Sequence, residues 1–228
     1  LDKVSDAEFE SYDHVFVASA FEADKLNARL EVPVTALLQC TDPNLFFRDV
    51  SSDRPQDELL FVGNSRRHLR PIVYDAIESQ LPISIYGGAW DGIIDTSYVR
   101  AEHIPNTELR HYYSNAGIVL NDHWRSMRQS GYVSNRLFDA GACGACIVSD
   151  PAVGLVELFG DAVTTYESQA ELKEVVTKLT SDPGLRRKKG EAMREIVSRE
   201  HTFAHRAKTI VAKAREIAAA KDKQPQIS

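Results

Sequence analysis

From residue 58 to residue 165 short apolar runs recur at close intervals, most of them closed by glycine, asparagine, serine or aspartate. They are Leu59-Leu60-Phe61-Val62, Ile83-Ser84-Ile85-Tyr86, Ala101 to Ile104, Gly117-Ile118-Val119-Leu120, Cys146-Ile147-Val148 and Ala162-Val163-Thr164-Thr165. Each is too short for a helix and most are too evenly apolar for a strand with one wet face, so the runs predict strands covered on both sides. Helical spacing fills most of the intervals. Alternation of this kind predicts an α/β fold, a doubly wound parallel sheet of the Rossmann-like type. Ligands in such sheets sit at the carboxyl ends of the strands. Those ends are Gly63-Asn64, Gly87-Gly88, Pro105-Asn106, Asn121-Asp122 and Ser149-Asp150.

The same rhythm is present, and then broken, nearer the start. His14 to Ala18 and Val32 to Leu38 are strand-like, and a helix from Ser19 to about Arg29 lies between them. Residues 1–45 are therefore expected to be the end of another α/β domain, 46–57 a linker, 58–220 the main domain and 221–228 a disordered tail. The chain opens without methionine and enters structure at once, as a piece of a longer protein would. Ser5-Asp6-Ala7-Glu8, Ser19-Ala20-Phe21-Glu22 and Ser168-Gln169-Ala170-Glu171 have capping-box spacing and predict helix starts. A helix is also expected to run from Asn64 to about Ser79, another from Pro105 to about Asn115, and a final one from His201-Thr202-Phe203 to about Ala220.

The stretch Ser130 to Asp150 carries the most chemical information. A small polar loop, Ser130-Gly131-Tyr132-Val133-Ser134, leads into a helix beginning near Asn135. Free amides and the positive dipole end make such a junction a ready phosphate site. Asp139 lies one turn in, where a carboxylate can reach sugar hydroxyls beside that phosphate. The alternative is a tight helix–strand corner whose small residues, Ala140 to Ala145, only ease packing. After the first strand, Asn64-Ser65-Arg66-Arg67-His68-Leu69-Arg70 places arginines at an expected helix start, where guanidinium forks suit a diphosphate. A solvated basic face is the other account of them.

Totals exclude some functions. Net charge is −6 and no basic face is evident, so sequence-independent nucleic-acid binding is not expected. No apolar run reaches membrane-spanning length and no signal peptide opens the chain. The three cysteines are an odd number with no disulfide framework, which fits a cytoplasmic location. Cys143 and Cys146 form a lone C-x-x-C in an apolar corner, better explained as small core residues than as metal ligands. No metal spacing, D-x-D pair, G-x-G-x-x-G, Walker loop or G-x-S-x-G elbow occurs. What remains is a metal-independent nucleotide-diphosphate site at the lip of a parallel sheet.

Several segments, taken in order, resemble a known family. They are Val62-Gly63-Asn64, Ile104-Pro105-Asn106 with Glu108-Leu109 and Tyr112-Tyr113, the strand from Gly117, Arg136-Leu137-Phe138-Asp139-Ala140 with Gly144, and Ile147 to Asp150. The ensemble is similar to the nucleotide-binding half of GT-B glycosyltransferases, and most to the CgeB-like, spore-maturation branch. That branch also has a late H-T-[FY]-x-x-R-A segment, here His201 to Ala207. The resemblance covers residues 58–212. It implies a nucleotide-diphosphate sugar as donor substrate, no cofactor, and an acceptor it does not identify. It assigns ribose hydroxyls to Asp139 and the diphosphate cradle to Gly131, Tyr132, Val133, Ser134 and Asn135. Basic and polar contacts after the first strand fall to Asn64, Ser65, Arg66 and Arg70, and the base-reading edge to the backbone around Ile104. Many retaining relatives have a second acid eight residues before the ribose acid, where this chain has Gly131. The resemblance thus implies a metal-independent glycosyltransferase of which this chain is the donor-binding part and is expected to be inactive alone. A non-catalytic nucleotide-binding or interaction domain of the same fold is the alternative, and a nucleotide-sugar epimerase a third.

Overall fold

A computed structural model describes residues 4–49 and 57–222. Asp6–Phe9 forms one turn of helix (α1), Val15–Val17 a strand (β1), Ala20–Asn27 a helix (α2) and Val34–Ala36 a second strand (β2). β1 and β2 pair in parallel with Val15 beside Val34, and Ala23, Leu26 and Leu30 cover them. Ser19 caps α2 through a 3.1 Å bond from the Glu22 amide to its Oγ. The box at Ser5 makes no side-chain bond, and α1 buries nothing.

The larger unit contains Leu59–Val62 (β3), Pro71–Glu78 (α3), Ile83–Tyr86 (β4), Val99–Ala101 (β5), Leu109–Asn115 (α4) and Ile118–Asn121 (β6). Arg125–Ser130 (α5), Asn135–Ala142 (α6), Ile147–Ser149 (β7), Leu155–Phe159 (α7) and Val163–Thr165 (β8) follow. Gln169–Ser181 (α8), Pro183–Glu200 (α9) and Phe203–Lys221 (α10) complete the described chain. Six strands form one parallel sheet in the order β5-β4-β3-β6-β7-β8. This is the doubly wound order, and it reverses between β3 and β6.

Alternate residues of each strand serve opposite faces. Leu60, Val119 and Ile147 pack with Leu137 and Phe138 of α6 and Met193 and Val197 of α9. Leu59, Phe61, Leu120 and Val148 pack with Ile72, Val73 and Ala76 of α3 and Leu172 and Val176 of α8. Burial on both faces is why these strands are continuous apolar runs.

Four expectations are corrected. The segment after β3 is not helical from Asn64; α3 begins at Pro71, whose fixed φ suits a first helical position. Residues 105–108 stay outside α4, which begins at Leu109. The expected strand at 101–104 is shifted to Val99–Ala101. Helix α5 was not anticipated; its six residues are too few for a clear period and none is buried. Of the expected linker, residues 50–56 lie outside the described residues, whereas Phe46 is buried in the large core and the Asp49 amide donates to Ser114 Oγ at 2.9 Å. Of the expected tail, Lys221 ends α10 and bonds Asp13, and residues 223–228 lie outside the described residues.

The small residues after Asp139 let α9 come close. A Cβ on Gly141 would sit 3.1 Å from both Met193 Cε and Val197 Cγ2, and one on Gly190 would sit 2.1 Å from the Gly144 carbonyl oxygen. Alanine is the better helix former by about 1 kcal/mol, yet Gly190→Ala must push α9 off the Gly144 corner. The variant should lose about 1–3 kcal/mol in urea unfolding; a gain in stability would show that the contact is slack.

Candidate functional site

The crevice where strand order reverses is built by the ends of β3 and β6. Beyond β3, Asn64 Oδ1 accepts the Gly88 amide at 2.7 Å. The Ser65 hydroxyl donates to the Ala89 carbonyl and accepts the Arg67 amide at 3.0 Å. Gly87, at φ 151°, packs so tightly here that a Cβ would meet the Gly63 oxygen at 2.3 Å. Arg66 and Arg67 both adopt left-handed backbone, φ 54° and 60°, in an exposed turn. Their side chains therefore stand on a strained loop and not on a helix start.

Arg70 is buried at 7% exposure and forks onto Asp122 at the end of β6, with Nε 2.7 Å from Oδ2 and Nη2 on Oδ1. Its Nη1 donates to the Asn64 carbonyl at 3.2 Å, and its guanidinium lies over the Trp124 ring. Arg136, in the first turn of α6, reaches across from the other side. Its Nη1 donates to Asn121 Oδ1 at 2.8 Å and is 3.9 Å from Asp122 Oδ1. A Cβ on Gly63 would lie 2.9 Å from Arg136 Nη2, so this guanidinium is wedged beneath the end of β3.

The predicted cradle is partly assembled. Tyr132, Val133, Ser134 and Asn135 line a recess of about 330 Å³ with Gln39, Ser126 and Met127. Ser134 precedes α6 without a side-chain cap bond. Val133 is mainly core, and Ile104 is buried beside Tyr86 and Tyr113. Gly131 closes α5 at φ 68°, and a Cβ there would be 3.0 Å from Ser19 Oγ and 3.1 Å from the Val153 oxygen. Ser19 Oγ also donates to the Ser130 carbonyl at 2.6 Å, so the smaller unit rests on this loop.

Asp139 is held from two sides: Thr41 Oγ1 donates to Oδ1 at 2.7 Å and Asn135 Nδ2 to Oδ2 at 2.6 Å. Burial pushes its carboxyl up to about 6, against the pull of these two donors. A carboxylate offers about four lone-pair positions, which leaves roughly two for a ligand.

Next to the crevice, a cleft of about 700 Å³ opens over the ends of β6 and β7, lined by Arg70, Asp122, His123, Trp124, Arg125 and Asp150 among others. Of these the sequence singles out Arg70 alone, and it gives no local signal for a site role of Arg136 either. The strand-end rule pointed at Asn121-Asp122 and Ser149-Asp150; what it lacked was the pairing that makes them one surface. Cys40, Cys143 and Cys146 are free and buried, and burial pushes the Cys143 and Cys146 thiols up to about 12 and about 11. Among the described residues no three of His, Cys, Asp and Glu are grouped to hold a metal ion. Nor is any described helix long and apolar enough to cross a membrane.

Residues 66–212 match the model of a family described as glycosyl transferase-like. The chain belongs to this family. No curated protein matches it. Among solved structures, sucrose-phosphate synthase from Thermosynechococcus elongatus superposes with a TM-score of 0.75 at 19% identity, over 94% of this chain and 61% of that one. A glycosyltransferase from Rickettsia africae gives 0.71 at 12% identity, over 93% and 66%. Anabaena HepE, solved with UDP and glucose, gives 0.71 at 14% identity, over 92% and 65%. At such identities the likeness is one of fold, the GT-B type, and the family member described here spans roughly three fifths to two thirds of those chains.

The burial of Asp139 has a measurable consequence. Its folded value, about 6, lies above the ordinary carboxylate value near 4. The protonated form is thus favoured by folding, and that stability is present below pH 4 and lost as pH rises through 6. Asp139→Asn should therefore raise stability at pH 7 by on the order of 1–2 kcal/mol and leave it unchanged near pH 4. Equal stability of variant and wild type at pH 7 in urea titrations would contradict this.

Proposed function

We propose that the chain is the donor-binding part of a cytoplasmic, metal-independent glycosyltransferase of the CgeB-like branch, which moves a glycosyl group from a nucleotide-diphosphate sugar to an acceptor. The observation that carries the reading is Asp139: a carboxylate one turn inside α6, fixed by Thr41 and Asn135, with acceptor positions left over and short of hydration. Ribose hydroxyls supply the missing donors. The amino end of α6 and the loop from Gly131 to Asn135 take the diphosphate. Arg66, exposed on its turn, neutralises it, and Arg70 holds that turn in place through Asp122 and the Asn64 carbonyl. The base lies toward Ile104. Family membership and the GT-B fold support this assignment, and the UDP in the Anabaena structure makes UDP the first ligand to try.

A non-catalytic binding domain is favoured by one observation. Gly131 is packed against Ser19 and Val153, so an acid cannot be placed there without moving the smaller unit. A transferase built on this chain takes its catalytic base from elsewhere.

Calorimetry with UDP, GDP and ADP in the presence of EDTA tests the reading; binding that needs added manganese would refute metal independence. Asp139→Ala should weaken the nucleotide by roughly 1.5–3 kcal/mol, the range for bonds to a charged group, or about tenfold to a hundredfold. Inorganic pyrophosphate has no ribose, so its affinity should hold or rise slightly. Arg66→Ala should weaken both. Equal losses of nucleotide and pyrophosphate on Asp139→Ala would remove Asp139 as a ribose contact.

A further inference from the structure

Asp139 is half-buried, and the two donors that hold it come from different parts of the chain. Asn135 is exposed and stands one turn earlier on the same helix, α6. A bond between residues four apart joins neighbours on one helix face and moves with that helix. Thr41 is 98 residues away in the chain, in the strap between the smaller unit and the larger, and is 1% exposed. Its backbone is pinned on both sides. The Thr41 amide donates to the His201 carbonyl at 3.0 Å, and the Thr41 carbonyl accepts the Phe203 amide at 3.0 Å. The hydroxyl is therefore delivered to Asp139 by backbone that is anchored to the corner between α9 and α10.

A carboxylate held through one oxygen can turn about its Cβ–Cγ bond, because that torsion is broad. Held through both oxygens, it has one plane. With Thr41 on Oδ1 and Asn135 on Oδ2, the lone pairs left over point in fixed directions. The Thr41 bond also favours the charged form, against the burial that pushes this carboxyl up. The titratable groups that face Asp139 are Cys40 of the strap, Tyr113 of α4 and Cys143 at the end of α6. Burial pushes all three up, so they are neutral near pH 7. The neighbouring cations are engaged elsewhere, Arg136 with Asn121 and Arg206 with the carbonyls of Leu38 and Gln39. Thr41 lies outside residues 66–212, so the family match does not extend to it.

We propose that Thr41 is a positioning residue for the donor: it fixes the Asp139 carboxylate in the plane in which its free lone pairs meet the ribose hydroxyls. Thr41 itself does not touch the nucleotide. The donor site is then completed by a side chain from the strap, and α6 alone does not suffice for it. The proposal rests on the donor-binding reading given above and adds to it the residue that sets the geometry of the ribose contact.

Calorimetry with UDP and with inorganic pyrophosphate, over a pH range that spans the Asp139 value of about 6, provides the test. Thr41→Val keeps the branching at Cβ and loses the hydroxyl. At pH 7 it should weaken UDP about threefold to tenfold and leave pyrophosphate, which has no ribose, unchanged. Thr41→Ser restores the donor and should bind UDP as the wild type does. The ionised carboxylate is the form that accepts ribose hydroxyls, so UDP affinity falls as pH drops through the Asp139 value. Without the Thr41 donor that value is higher, and in Thr41→Val the fall should begin at higher pH. Ionisation of the UDP phosphate is common to both proteins and cancels in the comparison. Thr41→Ala, read in the same way, serves if Thr41→Val does not fold. Unchanged UDP affinity in the variant lacking the hydroxyl, equal losses of UDP and pyrophosphate, an unmoved pH profile, or failure of Thr41→Ser to restore affinity would each overturn the proposal and leave the donor reading intact. Absence of wild-type binding to UDP, GDP and ADP alike would refute the donor reading, and this proposal with it.

Discussion

The buried ion pair between Arg70 and Asp122 ties together the two lips of the crevice on which the rest of the site depends. The ladder holds β3 against β6 as far as Phe61 and Leu120, but beyond it the chain leaves the two strands toward opposite faces, so the loops past their ends need a tie of their own. Arg70 closes that gap with a fork to Asp122 and a bond back to the Asn64 carbonyl. Arg136 braces the same place from α6, through Asn121. Taking two charges out of water is costly, and an apolar pair of similar volume would serve stability about as well. What an apolar pair could not do is aim: the fork sets the position of the turn that carries Arg66 and leaves the Trp124 ring stacked beside it.

A second constraint comes from the strap of residues 38–46 that joins the smaller unit to the larger. Arg206 at the start of α10 donates to the carbonyls of Leu38 at 2.6 Å and Gln39 at 2.7 Å. Thr41 bridges to Thr202, and Phe46 enters the large core. Burial, and then the Arg206 charge, push the His201 imidazole down to about 4. The neutral ring accepts a bond from Arg206 and packs edge-on against Phe138. The His-Thr-Phe segment that helped mark the family is thus a corner piece between α9 and α10. Its link to the site runs through Thr41, whose hydroxyl is one of the two donors that hold Asp139.

Much of this was legible in the sequence because the sheet is parallel and covered on both faces. Four-residue runs such as Leu59 to Val62 need no partner to be recognised. Ser19 and Ser168 announced their helices and do cap them. The segment from Asn64 to Arg70 reads as helix because arginines are good helix formers, whereas Pro71 marks the true start. The strand ends drew attention to Asp122 and Asp150, but a polar residue after a strand looks the same whether it faces water, an arginine or a ligand. The contacts that make the site join residues 52 apart, as with Arg70 and Asp122, or 98 apart, as with Thr41 and Asp139. No local spacing encodes such pairs. Nor could the sequence show that Gly131 has left-handed backbone pressed against Ser19.

Gly131 and Asp139 together set the charge the cradle presents. A second carboxylate eight residues before Asp139 would disfavour its ionisation further, since like charges in a half-buried site raise each other's values. With glycine there, burial is the main force holding the Asp139 carboxyl up, and hydroxyl donors from a ligand can reverse it by stabilising the charged form. A diphosphate brings negative charge of its own into the neighbourhood. The proposed donor site would then be best served by one carboxylate that is poorly solvated until ribose arrives, with the loop amides and Arg66 left for the phosphates. An ordinary, fully hydrated aspartate would already be satisfied by water, and a ribose would have to displace that water to bind. In the proposed donor site the cost of burying Asp139 is therefore what would give its spare acceptor positions a preference for a ligand hydroxyl.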